Sequence, residues 1–194
     1  MESKVKGSVF TYPQFIEWVE QLVQDGKTSG DNQTDDLISF TALNLKRMQR
    51  IDKTMQMAPE LMNCLRQLDP QRWWVITEAW CGDSAQSLPV IGAMAANSGG
   101  VIDLNIMLRD ENPAIMDDYL TNGGKSIPKL VVFDNAGNEL FTWGPRPKSA
   151  QEILLSWKNN PNGKSWEEFE RELHGWYTKN KQQEIQAEFV QLLS

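Results

Sequence analysis

The most constraining stretch of this chain is Trp73-Trp74-Val75-Ile76-Thr77-Glu78-Ala79-Trp80-Cys81-Gly82-Asp83-Ser84. Its first half is an apolar run of β type, and the residues from Ser84 to Ala96 read as a helix. A strand that runs into a helix at Cys81 puts that sulfur on the first helical turn. There it meets backbone N–H groups without intrahelical partners, at the positive end of the helix dipole. Both favour the thiolate, the reactive form of cysteine. The rest of the chain reads as the scaffold for this one sulfur.

Upstream, Thr11 and Gln14 fit a capping box, and Phe15, Trp18, Val19 and Leu22 recur at helical spacing until Gly26. The segment from Asp25 to Thr34 is rich in Gly, Ser and Asn and reads as a solvated connection. Thr34 or Asp35 caps a longer helix whose packing stripe is Leu37, Phe40, Asn44, Met48, Ile51 and Met55. Its Lys46, Arg47, Arg50 and Lys53 form a local basic patch, which is either a solvated face or places one of the arginines near Cys81 to lower its pKa. Pro59 opens a short third helix with Leu61, Leu65 and Leu68 on one face. Cys64 beside them is either a small buried hydrophobe or a resolving thiol for Cys81.

Downstream, Asn97-Ser98-Gly99-Gly100 stops the Cys81 helix, and 101–108 is a second strand, which makes a parallel βαβ unit. Asn112-Pro113 starts a short helix through about Leu120. Residues 128–133 and 139–143 form an antiparallel hairpin across Asn135-Ala136-Gly137-Asn138. Gly144-Pro145-Arg146-Pro147 reads as a stiff loop, and Ser149 as the cap of a helix over 150–158. From Ser165 a final helical region carries Trp166, Phe169, Leu173, Trp176, Tyr177, Ile185, Phe189, Leu192 and Leu193. Gly175 is a point where that region would kink or divide. That region either packs on the core or offers an aromatic stripe to a partner.

Trp80-Cys81-Gly82 after a β-type run resembles the Trp-Cys-Gly-x-Cys site of the thioredoxin superfamily. Pro89 falls where that family kinks the following helix, and Ser126-Ile127-Pro128 resembles its Ile-Pro segment, in which the proline is cis and faces the cysteine. The resemblance covers about Arg72 to Asn159. It implies an α/β thioredoxin-like fold, a central mixed sheet flanked by helices, with extra N-terminal and C-terminal helices. Residues 1–70 would be an N-terminal helical extension, 71–160 the thioredoxin-like domain and 161–194 a C-terminal helical extension, in one compact unit. The element order read from the pattern agrees.

The departures are chemical. Ser84 replaces the second cysteine, Asp83 stands before it, and the family's buried acid falls on Val75; Glu78 is the nearest acid on the strand. The candidate catalytic residues are therefore Cys81, Ser84 and Asp83, with Trp80, Gly82, Ile127 and Pro128 lining a peptide groove. Cys81 would exchange with a disulfide-bearing protein or peptide, or with a glutathione mixed disulfide, and glutathione would be the external reductant because a hydroxyl is not a redox partner. Ser84 would donate a hydrogen bond to the thiolate. Asp83 would raise the thiol's pKa, help the helix N-terminus and offer a base; the net sign is open. The alternative is a redox-inactive thioredoxin-fold module that binds a peptide or protein. A peroxidase of the peroxiredoxin kind wants threonine three residues before the cysteine, where Glu78 stands.

The totals exclude other classes. A net charge of −7 argues against nucleic-acid binding. No apolar run is long enough for a membrane span. The opening residues lack the apolar core of a signal peptide, and two cysteines fit free thiols in a reducing, cytoplasmic setting. With one histidine, His174, and no Cys/His/Asp cluster, neither a metal nor another bound cofactor is expected, and a Ser-His-Asp hydrolase is unsupported.

Overall fold

The computed structural model describes residues 1–194. The chain runs β1 (Val9–Phe10), α1 (Tyr12–Gln24), α2 (Asp35–Thr54), α3 (Pro59–Leu65), β2 (Gln71–Thr77), α4 (Gly82–Asn97) and β3 (Ile102–Leu108). It continues through α5 (Pro113–Asp118), β4 (Lys129–Asp134), β5 (Glu139–Trp143), α6 (Lys148–Asn159), α7 (Trp166–Asn180) and α8 (Gln183–Leu193). The five strands form one mixed sheet in the order β1-β3-β2-β4-β5. β2 and β3 are parallel across the α4 crossover, β4 and β5 are antiparallel, and β4 pairs antiparallel with β2. This is a thioredoxin-like arrangement with helices on both faces.

β2 is central, so both of its faces are buried and its sequence is nearly continuously apolar. The period of two still divides it. Trp73 and Val75 enter the larger core with residues of α1, α2, α4 and α8, while Trp74 and Ile76 face Met107, Ile115 and Met116 on the α5 side. The larger core draws on Phe15 and Met48 from the N-terminal helices and on Ile185 and Phe189 from α8. The N-terminal helices and α8 are thus part of that larger core.

Several expectations change. β1 was not foreseen: two residues carry too little pattern, yet they add an antiparallel edge to β3. The connection from Asp25 to Thr34 is not wholly solvated, because Thr28 and Ser29 are buried and Thr28 shares a 2.6 Å hydrogen bond with Thr41. On α2 the buried set includes Thr41, Asn44, Leu45, Met48 and Ile51, while Phe40 points outward. α6 is capped at Pro147 rather than Ser149, and Glu188 and Glu184 of α8 accept from the free N–H groups of Lys148 and Ser149. α7 runs straight through Gly175. The break to α8 falls at Lys181 and Gln182, both left-handed, with φ of 50° and 62°. Phe169, Leu173 and Tyr177 pack against α6, whereas Trp166 stays half exposed.

Candidate functional site

β2 ends at Thr77, and a tight turn closes when the Cys81 N–H donates to the Glu78 carbonyl at 3.2 Å. Two buried side chains pin that turn from behind. Ala79 N–H donates to Ser29 Oγ at 3.0 Å, and Asn44 Nδ2 donates to the Ala79 carbonyl at 3.1 Å. Cys81 then becomes the N-cap residue of α4. Its thiol donates to the Ile127 carbonyl at 3.3 Å, across an Ile127–Pro128 peptide that is cis. The sequence-chosen residues Trp80, Cys81, Gly82, Asp83, Ser84, Ile127 and Pro128 therefore do converge at one end of the sheet.

The electrostatics differ from the helix-terminus expectation. Cys81 is 8% exposed, and its thiol is pushed up to about 11, first by burial and then by the Asp83 carboxylate. Hydrogen bonds from the Ser84 side chain and from the backbone of Ser84 and Asp83 act the other way and are outweighed. Loss of hydration around a buried thiolate costs more than a few aligned N–H groups return. Ser84 Oγ accepts from Thr77 Oγ1 at 2.7 Å, which leaves its own proton free for the sulfur.

Asp83 is not a free base. Its Oδ2 accepts from Nε of Arg146 at 3.0 Å and from Nη2 of the same guanidinium, and its Oδ1 accepts from Tyr177 Oη at 2.8 Å. Arg146 can reach it because Gly144, at φ 108°, lets the β5–α6 loop run against Pro128, where a β-carbon would overlap the Pro128 carbonyl. α7 brings a second group. A β-carbon on Gly82 would stand 3.0 Å from the His174 ring and 3.5 Å from Arg47 Nη1. The basic residue of α2 that reaches the site is thus Arg47, which also donates to Asn44 Oδ1 at 2.9 Å, but it does not keep the thiol pKa low. His174 Nδ1 lies 3.4 Å from Gln86 Nε2. Trp80 is half-buried, and the Arg109 guanidinium lies over its ring, 4.9 Å from the centroid.

Glu78 is buried at the end of β2, with Oε1 accepting from Asp110 N–H at 2.9 Å and Oε2 unpartnered; burial pushes this carboxyl up. Cys64 is a free, half-buried thiol on α3 whose sulfur lies 3.7 Å from Ser194 Oγ. No group of three or more His, Cys, Asp and Glu side chains is placed to hold a metal ion. No helix is long and apolar enough to cross a membrane. A cavity of about 1010 Å³ is an open groove between the α2–α3 connection and α8, lined by Met55, Met57, Gln186 and Val190 among others. It contains none of the residues around Cys81. Ser29, Asn44, Arg146, His174 and Tyr177 were not foreseen as site residues; each lies in a segment whose local pattern signals only a loop or a packing helix.

Comparison with known proteins agrees with this fold. A family model described as thioredoxin matches residues 30–162, which extends upstream of Arg72 to include α2. The chain is 32% identical over 77 residues to a thioredoxin of Porphyra purpurea, covering 40% of this chain and 69% of that one. In three dimensions it is similar to a Pseudomonas aeruginosa protein of unknown function, with a TM-score of 0.57, 16% identity, and 90% and 95% of the two chains covered. It is also similar to an HIV epitope-scaffold, with a TM-score of 0.53, 17% identity, and 90% and 96% covered. Those two likenesses concern the fold alone. By the extent of the family match and by the Porphyra relative, the chain belongs to the thioredoxin family.

Proposed function

We propose that this chain is a monothiol disulfide-exchange protein acting through Cys81. The observation that carries the reading is the placement of one thiol at the α4 N-cap, against the Ile127 carbonyl, with a hydroxyl rather than a thiol at position 84. In the first step Cys81 gives its proton to solvent and its thiolate attacks one sulfur of a disulfide R–S–S–R′. The S–S bond breaks, R′–S⁻ leaves with the electron pair, and a Cys81–S–S–R mixed disulfide remains. Ser84 cannot attack it. An external thiolate such as glutathione attacks the R sulfur instead, R departs as a disulfide with that thiol, and the Cys81 thiolate is restored. A disulfide-bearing protein or peptide in extended form would lie along Ile127–Pro128 beside Trp80 and Gly82. A reducing, cytoplasmic compartment would supply the external thiol.

One observation favours a second reading. A sulfur 8% exposed and pushed up to about 11 is almost wholly protonated at neutral pH, which suits a module that holds a peptide without exchange.

The two readings separate in a Cys64→Ala background treated with glutathione disulfide. Exchange predicts a single adduct on Cys81, stable until reduced glutathione is added, and Ser84→Cys should let the chain discard the adduct unaided. No adduct after prolonged exposure at pH 9, with peptide retention unchanged by Cys81→Ser, would leave the binding module.

A further inference from the structure

The Arg146–Asp83 pair is not accounted for by the exchange steps. Its members come from opposite sides of the site, the β5–α6 loop and the first turn of α4. Both are withdrawn from water, with side-chain exposures of 12% and 10%. Arg146 places Nε and Nη2 on Asp83 Oδ2 and Nη1 on Gln151 Oε1 at 3.0 Å, while Tyr177 occupies Asp83 Oδ1. The carboxylate is held by three hydrogen bonds in the first turn of α4, two positions after the N-cap residue Cys81. Other charged or titratable groups also face it: Arg47 from α2, and Glu170, His174 and Tyr177 from α7.

We propose that Asp83 and Arg146 are an opposed pair of positioning residues that sets the acidity of Cys81, with the carboxylate holding the proton on the sulfur and the guanidinium offsetting it. A fixed negative charge beside a buried sulfur opposes thiolate formation, and low local dielectric strengthens the effect. The paired guanidinium cancels part of that field. Tyr177 keeps the carboxylate oriented, so α7 takes part in setting the reactivity of a residue far from it in sequence. This inference needs only that Cys81 ionises, so it stands or falls apart from disulfide exchange, and its test uses no disulfide.

The opposed signs make it testable. In the full chain with Cys64→Ala, iodoacetamide, an uncharged probe, reports the thiolate fraction of Cys81 at pH 8. Asp83→Asn should speed alkylation. Arg146→Met should slow it. A shift of about one pKa unit changes thiolate about tenfold, but the more acidic thiolate is less nucleophilic, so the expected rate change is about threefold in each direction. Arg146→Lys, which keeps the charge, should lie nearer the parent than Arg146→Met. A merely structural role would loosen the site in both variants and move both rates the same way. That outcome, or an Asp83→Asn rate equal to the parent, overturns the proposal. If Asp83→Asn gives no cooperative melt, the Arg146→Met and Arg146→Lys pair decides alone: equal rates for the two overturn it.

Discussion

The His174 ring occupies the space beside Gly82, so that a β-carbon there would lie only 3.0 Å from two of its atoms. The glycine after the cysteine thus has a packing reason: it admits the side chain by which α7 meets the first turn of α4. Gly82→Ala must push back an imidazole held between Gln86 and Tyr177, and should cost about 1 kcal/mol, the low end for overpacking. In Gly82→Ala/His174→Ala the clash has no partner. A double-mutant cycle on urea midpoints should give a coupling of more than about 0.5 kcal/mol; additive effects would show that the ring is not against position 82.

His174 also gives the fold a pH dependence. Burial, then the Arg47 guanidinium, push it down from 6.5 to about 4, so the folded chain holds it neutral. In the unfolded chain it titrates near its ordinary value of about 6.5. Between those values the unfolded state binds the proton and the folded state does not, so stability is full above about pH 6.5 and is lost as pH falls toward 4. The contribution is about 3 kcal/mol when complete. His174→Gln should flatten that segment of the stability curve, and parallel curves for the two proteins between pH 6.5 and 4.5 would contradict it.

Ser29 fixes the turn before the cysteine by accepting from the buried Ala79 N–H. Ser29→Ala strands that donor and should cost about 1–3 kcal/mol, the penalty for an unsatisfied buried group. Because Asn44 still holds the Ala79 carbonyl, the fold should survive, and the Cys81 alkylation rate should change along with the thermal midpoint. An unchanged midpoint would mean water has replaced the hydroxyl.

α8 belongs to the core through one ring. Phe189 is fully buried, stacked 5.7 Å from Trp73 of β2 and tilted 5.5 Å from Trp143 of β5. Phe189→Ala leaves a cavity among rigid aromatics and should cost about 3–5 kcal/mol. A loss below about 1 kcal/mol on denaturant titration would show that α8 is an appendage.

What the sequence made legible was local. The apolar run of β2, the helix after Cys81 and the hairpin of β4 and β5 each carry their signal within a few residues, and the position of Cys81 follows from them. The partners of the site are distant in sequence. Tyr177 meets Asp83 over a separation of 94 residues, Arg146 over 63 and Ser29 meets Ala79 over 50. No local period records such a contact: Tyr177 reads as one more packing aromatic, and Ser29 as one more loop serine. The sign of the Cys81 shift was hidden for the same reason, since burial by Ile127 and its neighbours decides it, and burial is a property of the assembled fold.

The most direct test of a single, buried and protonated exchange thiol is the rate of mixed-disulfide formation at Cys81 against pH. It is followed by mass spectrometry with glutathione disulfide in the Cys64→Ala chain. A thiol pushed up to about 11 requires a rate that climbs about tenfold per pH unit through pH 7–9 without levelling and that vanishes in Cys81→Ser. A plateau below pH 8 would reveal an activated thiolate and contradict the electrostatics described here; no adduct at any pH would contradict the exchange itself.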